Sequence, residues 1–305
     1  MESKESDSMK TSLILPAWNE EEALPLVIKE YIDKVDEIIV VDDGSSDDTY
    51  NVAKNCGVVV YKHEVNKGKV SALRTGVEHA TGDIIIFSDA DCTYPAEYVP
   101  LFVNEIEKGA DLVLGSRFMN GINNMPFLNM IGNRLFSLLA AYISCINITD
   151  GQTGYRAFKK EYFEKLDVRA VSLEYETKMT VRAAKLGYRI VEIPIKYRSR
   201  VGTSKLRPIR DGAKMFRGLM SIAYRETSLI AKTIMLPSIF FIILGVFFGV
   251  TSLYEKTLYG ILEHEYYPLL TLLFIFIAIQ LISIGFIMDY LTKKLDRIEE
   301  KLWKN

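Results

Sequence analysis

Cysteine, histidine and tryptophan are scarce in this 305-residue chain, at three, three and two copies, and each scarcity excludes a chemistry. Cys56, Cys92 and Cys145 stand far apart and lack the paired spacing of zinc or redox sites, so they read as small buried residues in a reducing compartment. His63, His79 and His264 are equally scattered, which leaves a zinc hydrolase without a ligand set. Neither a GxxxxGKS/T nor a GxGxxG run occurs, so the phosphate loops of P-loop and dinucleotide enzymes are missing. Residues 1–9 hold no apolar core and are expected to form a disordered tail, not a secretory signal. Lys and Arg number 37 against 39 Asp and Glu, a formal charge of −2, so nothing global draws the chain to nucleic acid.

Apolar residues, by contrast, are abundant and unevenly distributed. Short runs at 12–17 (SLILPA), 37–42 (EIIVVD), 58–61 (VVVY), 83–88 (DIIIFS) and 111–115 (DLVLG) read as strands. Helical patterns lie between them. This alternation predicts an α/β domain over residues 10–206, a mostly parallel Rossmann-like sheet with helices on both faces and ligands at the carboxyl ends of its strands. After Gly115 an Asn-rich loop (120–129) leads into a hydrophobic helical stretch at 130–146, interrupted by Arg134 and suited to an interface more than to spanning a bilayer. A basic segment at 198–225 follows. Within 207–230 it sets Ile209, Ala213, Phe216, Leu219/Met220 and Ala223 opposite Arg207, Arg210, Lys214 and Arg217, the pattern of a juxtamembrane helix on an anionic surface or of a solvated helix packed on the domain.

Two uncharged apolar runs, 233–253 and 266–288, are each long enough to cross a bilayer core, so residues 231–290 are expected to hold two transmembrane helices. Arg217, Arg225 and Lys232 precede the pair, and Lys293, Lys294, Arg297 and Lys301 follow it in a basic tail at 291–305. The loop between them carries Lys256 against Glu255, Glu263 and Glu265. The positive-inside rule then predicts an integral membrane protein with both termini and the α/β domain in the cytoplasm.

The sharpest local feature is Asp89-Ala90-Asp91, directly after an apolar strand. Two carboxylates one residue apart at a strand end repel each other unless a cation neutralises them, and a hard divalent ion bridging a diphosphate would do so. Alone the pattern is equally that of turn or capping aspartates. Two further strand ends carry Pro16-Ala17-Trp18-Asn19-Glu20 and Asp42-Asp43-Gly44-Ser45-Ser46-Asp47, which brings acids and small residues to one edge. Gly44 permits close backbone approach, and Ser45 and Ser46 can cap the next helix or meet a ligand.

Taken in order, PAWNE, VDDGSSDDT, NKGKVSALRTG, DAD and GSR resemble the family 2 inverting glycosyltransferases with the GT-A fold, over roughly residues 10–206. Within that family the pattern is most similar to the lipid-phosphate branch, the dolichyl-phosphate mannose and glucose synthases and their polyprenyl-phosphate relatives. The resemblance implies that Pro16, Trp18, Glu20 and Asp43 cradle the nucleoside, and that Asp89 and Asp91 hold Mg²⁺ or Mn²⁺ and the donor diphosphate. Thr93 stands where some members supply an amide ligand. The resemblance further implies an acceptor-phosphate clamp of Arg117, Arg134 or its neighbour Asn133, Ser137, Arg198, Arg200 and Lys205, with Asp91 and Arg117 carrying catalysis. Such arginines otherwise face solvent or anionic lipid. Glu174 and Glu176 are candidates for a sugar contact or base and equally for helix-dipole partners.

The implied partners are a nucleotide sugar, a dolichyl or polyprenyl phosphate and membrane lipid; homo-oligomerisation stays open. Since DDGSSDDT differs from the DDxSPDGT of mannose synthases, a UDP-sugar is favoured over GDP-mannose. A processive polysaccharide synthase would carry QxxRW, and neither Trp18 nor Trp303 lies in such a motif. A non-catalytic membrane scaffold or flippase subunit that kept the fold is the alternative from another class.

Overall fold

The computed structural model describes residues 9–120, 125, 127–166, 175–203 and 208–303. Residues 1–8 of the predicted tail, residues 121–124 of the Asn-rich loop, Glu174, Lys205 and Arg207 lie outside these residues, as do the side chains of Ile209, Arg210, Leu219, Ala223, Arg297 and Lys301. The chain divides into two compact units, Met1–Ser221 and Ile222–Asn305.

In the first unit, the five predicted runs form β1 (Thr11–Ala17), β2 (Glu37–Asp42), β3 (Val59–Lys62), β4 (Ile84–Phe87) and β5 (Leu112–Ser116). Helices α1 (Leu24–Tyr31), α2 (Thr49–Asn55), α3 (Lys69–His79) and α4 (Val99–Glu107) separate them. Beyond these come α5 (Phe127–Ser144), β6 (Arg156–Lys159), α6 (Lys160–Leu166), α7 (Tyr175–Lys185) and β7 (Ile190–Pro194). The sheet order is β3-β2-β1-β4-β6-β5-β7, parallel except for β6, which runs antiparallel to both β4 and β5. β6 escapes a sequence reading because it is four residues long with a cation at each end, Arg156 and Lys159.

Alternation along the strands sorts the core into two layers. Leu13, Leu15, Ile38, Val40, Ile84 and Ile86 meet α1 and α4, through side chains such as Leu24, Ile28 and Phe102. Ile14, Ile39, Val41, Ile85 and Phe87 meet α3 and α7, through Leu73, Val77 and Met179. Gly76 lets α3 approach β1 closely, because a Cβ there would collide with Ile14. The parallel registers Ala17↔Asp42 and Ile14↔Phe87 bring the carboxyl ends of β1, β2 and β4 to one edge.

Helix α8 (Pro208–Glu226) opens on the proline that suits a first turn. In the second unit, α9 (Leu229–Tyr259) and α10 (Tyr267–Trp303) form a hairpin. Residues 229–259 and 267–295 are long and apolar enough to cross a membrane, and they contain the two predicted runs apart from Tyr266. Small residues set the helix spacing: a Cβ on Gly245 would lie 2.8 Å from Ile275 Cδ1, and one on Gly249 3.2 Å from Thr271 Cγ2. Buried Asp289 ties one end by accepting from Ser228 N at 2.7 Å and Lys293 Nζ at 2.6 Å. At the other end His264 Nδ1 lies 2.7 Å from Glu255 Oε1.

Gly76→Val is expected to lower stability by about 1–3 kcal/mol, since the stiff Ile14 beneath it cannot yield without moving β1. Thermal unfolding in detergent, followed by circular dichroism, measures this against the parent chain.

Candidate active site

The ends of β1 and β2 are tied by their own side chains. Asn19 N donates to Ser45 Oγ at 2.9 Å, Ser46 N donates to Asn19 Oδ1 at 2.8 Å, and Glu20 N donates to Thr49 Oγ1 at 2.9 Å. Asn19 adopts φ +55°, as does Cys92 at +66° beside the acid pair, so non-glycine residues in left-handed geometry border both acidic strand ends. Trp18 is 41% exposed at this edge. Asp43 turns inward: Oδ1 accepts from Lys67 N at 2.9 Å and meets His63 Nδ1 at 2.6 Å, and Oδ2 accepts from Gly68 N at 2.7 Å.

Asp89 and Asp91 differ in their surroundings. Asp91 is buried, and its Oδ1 accepts from Thr93 N at 3.2 Å and Thr93 Oγ1 at 2.6 Å. Thr93 therefore holds the carboxylate from behind. Burial, and then the charge of Asp89, push the Asp91 carboxyl above the usual range, while Thr93 and Arg200 oppose the rise. Asp89 lies 2.7 Å from Lys69 Nζ, which also reaches Glu176 Oε1 at 2.9 Å. Burial pulls the Lys69 ammonium down, but Asp89 and Glu176 outweigh it and hold the group charged. Arg200 plays a matching part, pairing with Glu20 and standing 3.3 Å from Asp91 Oδ2.

These residues suit a hard divalent ion. Two carboxylates one residue apart supply oxygen donors, and Gly154 keeps the space beside Asp89 open. A Cβ on Gly154 would stand 3.1 Å from Asp89 Oδ2 and 3.2 Å from Lys69 Nζ. Among the described residues no third carboxylate, imidazole or thiolate joins the pair at ligand spacing. Remaining coordination is then left to water or a diphosphate.

A second group of predicted residues gathers at the end of β5. Arg117 is buried against Asp150, with Nε to Oδ2 at 2.6 Å and a terminal nitrogen to Oδ1 at 2.8 Å. Its guanidinium lies over Tyr197 (5.5 Å) and Phe118 (5.8 Å), and Arg134 lies over the same Phe118 ring at 5.6 Å. Ser137 Oγ accepts from Gly151 N at 3.0 Å, so it joins the loop that carries Asp150. Arg198 stands apart from this group, paired with Glu30 at 2.9 Å, and Arg200 belongs to the acid edge.

Lys69, Asp150 and buried Arg156 complete the arrangement without having been assigned roles from sequence, and Glu176, a candidate sugar contact, base or helix-dipole partner, is placed beside Lys69. Arg156 donates to the carbonyls of Gly151, Thr153 and Glu176 at 2.7–2.9 Å and so braces the 151–153 loop against α7. Burial lowers its pKa, although Glu176 and Asp150 oppose the change. Lys69 did carry a signal, a cation next to glycine at a helix start within NKGK.

Parallel strands carrying acids at one shared edge, with helices on both faces, define a class: a GT-A glycosyltransferase. The family model described as glycosyl transferase family 2 matches residues 12–167, and the chain belongs to that family. A dolichyl-phosphate hexose transferase of Haloferax volcanii is 32% identical over 219 residues, 70% of this chain and 94% of that protein. Glycosyltransferase AglJ of the same organism is 30% identical over 304 residues, 94% of this chain and 97% of the relative. A dolichol-phosphate mannosyltransferase of Pyrococcus furiosus is 30% identical over 220 residues, 65% of this chain and 60% of the relative. Among solved structures, glucosyl-3-phosphoglycerate synthase from Mycobacterium tuberculosis with Mn²⁺, UDP-glucose and phosphoglyceric acid superposes with a TM-score of 0.58 at 25% identity, covering 72% of this chain and 79% of that one.

Asp150→Asn is expected to cost about 3–5 kcal/mol, because it strands the buried Arg117 charge. The double variant Arg117→Met/Asp150→Leu is expected to recover most of that loss, as read from thermal or denaturant unfolding.

Proposed function

We propose that this glycosyltransferase moves a hexose or N-acetylhexosamine from a nucleotide sugar to the phosphate of a dolichyl or polyprenyl lipid, with inversion at the anomeric carbon. The observation that carries the acceptor is the face of α5. Ile131, Leu135 and Leu138 are exposed on one stripe of that helix together with Arg134, whose guanidinium shares the Phe118 ring with Arg117. An exposed apolar stripe beside paired cations suits a ligand with a hydrocarbon tail and an anionic head. The two apolar helices of the same chain and the names of the relatives support the same acceptor class.

The donor would lie along the ends of β1, β2 and β4, with Trp18 and Pro16 against the base and Glu20 and Asp43 shaping the nucleoside pocket. Mg²⁺ or Mn²⁺, held by Asp89 and Asp91, would supply Lewis-acid neutralisation of the diphosphate. Lys69 adds positive charge at the same edge, and Gly154 keeps that edge open to a diphosphate. A lipid phosphate is already an anion at neutral pH, so the protein needs to orient it more than to deprotonate it. Arg117, its plane fixed by Asp150, would receive that phosphate with Arg134 and Ser137, while Arg198, paired with Glu30, and Arg200, at the acid edge, stand outside that group. The motif DDGSSDDT favours a UDP-linked sugar, whereas the mannosyltransferase names among the relatives favour GDP-mannose.

The basic flanks of the helix pair and its acidic loop support a topology in which both termini and the α/β domain (10–206) face the cytoplasm, joined through 207–230 to spans within 231–290 and a basic tail at 291–305. Purified protein given UDP-glucose, UDP-N-acetylglucosamine or GDP-mannose with dolichyl phosphate, and products identified by mass, is expected to form a lipid-phosphate sugar with one donor class. Asp91→Ala and metal chelation are each expected to reduce turnover by about 100-fold or more. Full activity of Asp91→Ala would sink the assignment of this site.

A further inference from the structure

His63 belongs to no motif that the donor or acceptor reading uses, yet it is buried at a junction of three elements. Its backbone N–H donates to Asp42 O at 2.9 Å, continuing the β2–β3 ladder. Its ring spans a carboxylate and a hydroxyl, with Nδ1 2.6 Å from Asp43 Oδ1 and Nε2 3.0 Å from Thr75 Oγ1 of α3. An ionised carboxylate only accepts, so Nδ1 carries the proton of the hydrogen bond to Asp43, and Nε2 meets the Thr75 hydroxyl.

Asp43 passes this constraint on. Besides the imidazole, it accepts the backbone N–H groups of Lys67 and Gly68, the two residues that lead into α3. The same loop is pressed from the other side by Gly44, where a Cβ would come within 2.6 Å of Asn66 N and Val65 C. Gly68 then turns the chain with φ +90°, and Lys69, the first residue of α3, reaches Asp89 and Glu176 at 2.7 and 2.9 Å. A long flexible side chain delivers its charge to one point when its Cα is fixed close by, and here four hydrogen bonds and a glycine contact fix it.

We infer that His63 is a positioning residue for the donor diphosphate: through Asp43 it fixes the Lys67–Gly68 backbone and so aims Lys69 at the Asp89 edge. Asp43 then acts on the donor through the loop it holds. This rests on reading that edge as the donor site, so binding is the readout, separate from lipid transfer. A residue that merely stabilised the fold would weaken binding whether or not Lys69 were present; one that acts through Lys69 would not.

The test is a double-mutant cycle on the full chain in detergent, titrated by calorimetry with UDP and with GDP, each in the presence of Mn²⁺. His63→Leu is expected to weaken the tighter nucleotide by about tenfold, and to add less than about twofold once Lys69→Met is present. His63→Asn, whose amide can donate where Nδ1 does, is expected to restore affinity to within about threefold of the parent. If His63→Leu does not fold, His63→Gln replaces it, because its amide reaches the Nε2 position and leaves Asp43 short of a donor. A tenfold loss that persists beside Lys69→Met, or parent affinity in His63→Leu, overturns the positioning role alone. Failure of both nucleotides to bind the parent chain overturns the donor-site reading and this role with it.

Discussion

Like charges gathered at the ends of parallel strands are the constraint around which the α/β unit is arranged. Glu20, Asp89, Asp91 and Glu176 converge there, and burial in a low-dielectric edge makes their repulsion costly. Two cations offset it, Lys69 between Asp89 and Glu176, and Arg200 between Glu20 and Asp91. Burial, and then the charge of Asp89, still push the Asp91 carboxyl upward. Such an edge suits a divalent ion, which Asp89 and Asp91 would hold with Lys69 beside them.

Much of the surrounding backbone serves to hold these charges still. Thr93 fixes one oxygen of Asp91, Arg156 braces the loop ahead of Gly154, and Asp43 with His63 secures the entry to α3. Gly76 supports the same end by letting α3 lie close on β1. The Arg117–Asp150 pair repeats the device at β5, where a buried guanidinium is oriented by a carboxylate and lies over two rings. In each case a charged group is paired or hydrogen-bonded before any ligand arrives, which is what preorganisation requires.

The hairpin obeys different physics. Helices apolar enough to cross a bilayer would gain little there from excluding water, and small residues and end contacts mark the α9–α10 packing: Gly245 and Gly249 along the seam, Asp289 with Ser228 at one end, Glu255 with His264 at the other. Helix α5 keeps an apolar stripe exposed within the α/β unit itself, so this unit carries a lipid-compatible surface of its own.

Residue order alone determined the strands β1 to β5, the helices between them, the two apolar spans and the acids of the strand ends, because period-2 and period-3.6 patterns and long uncharged runs are local properties. It also carried the family, through motifs that keep their order along the chain. Tertiary structure decided which charges pair. Lys69 and Asp89 are twenty residues apart, Glu176 is far beyond both, and Asp150 meets Arg117 across the whole of α5, separations that no local pattern encodes. It also inserted β6 between β4 and β5, turned Asp43 inward to His63, and sent Arg200 to the acids and Arg198 to Glu30. Sequence could assemble the acids because strand ends are local; their neutralisation required three dimensions, because charge pairs by distance in space and not along the chain.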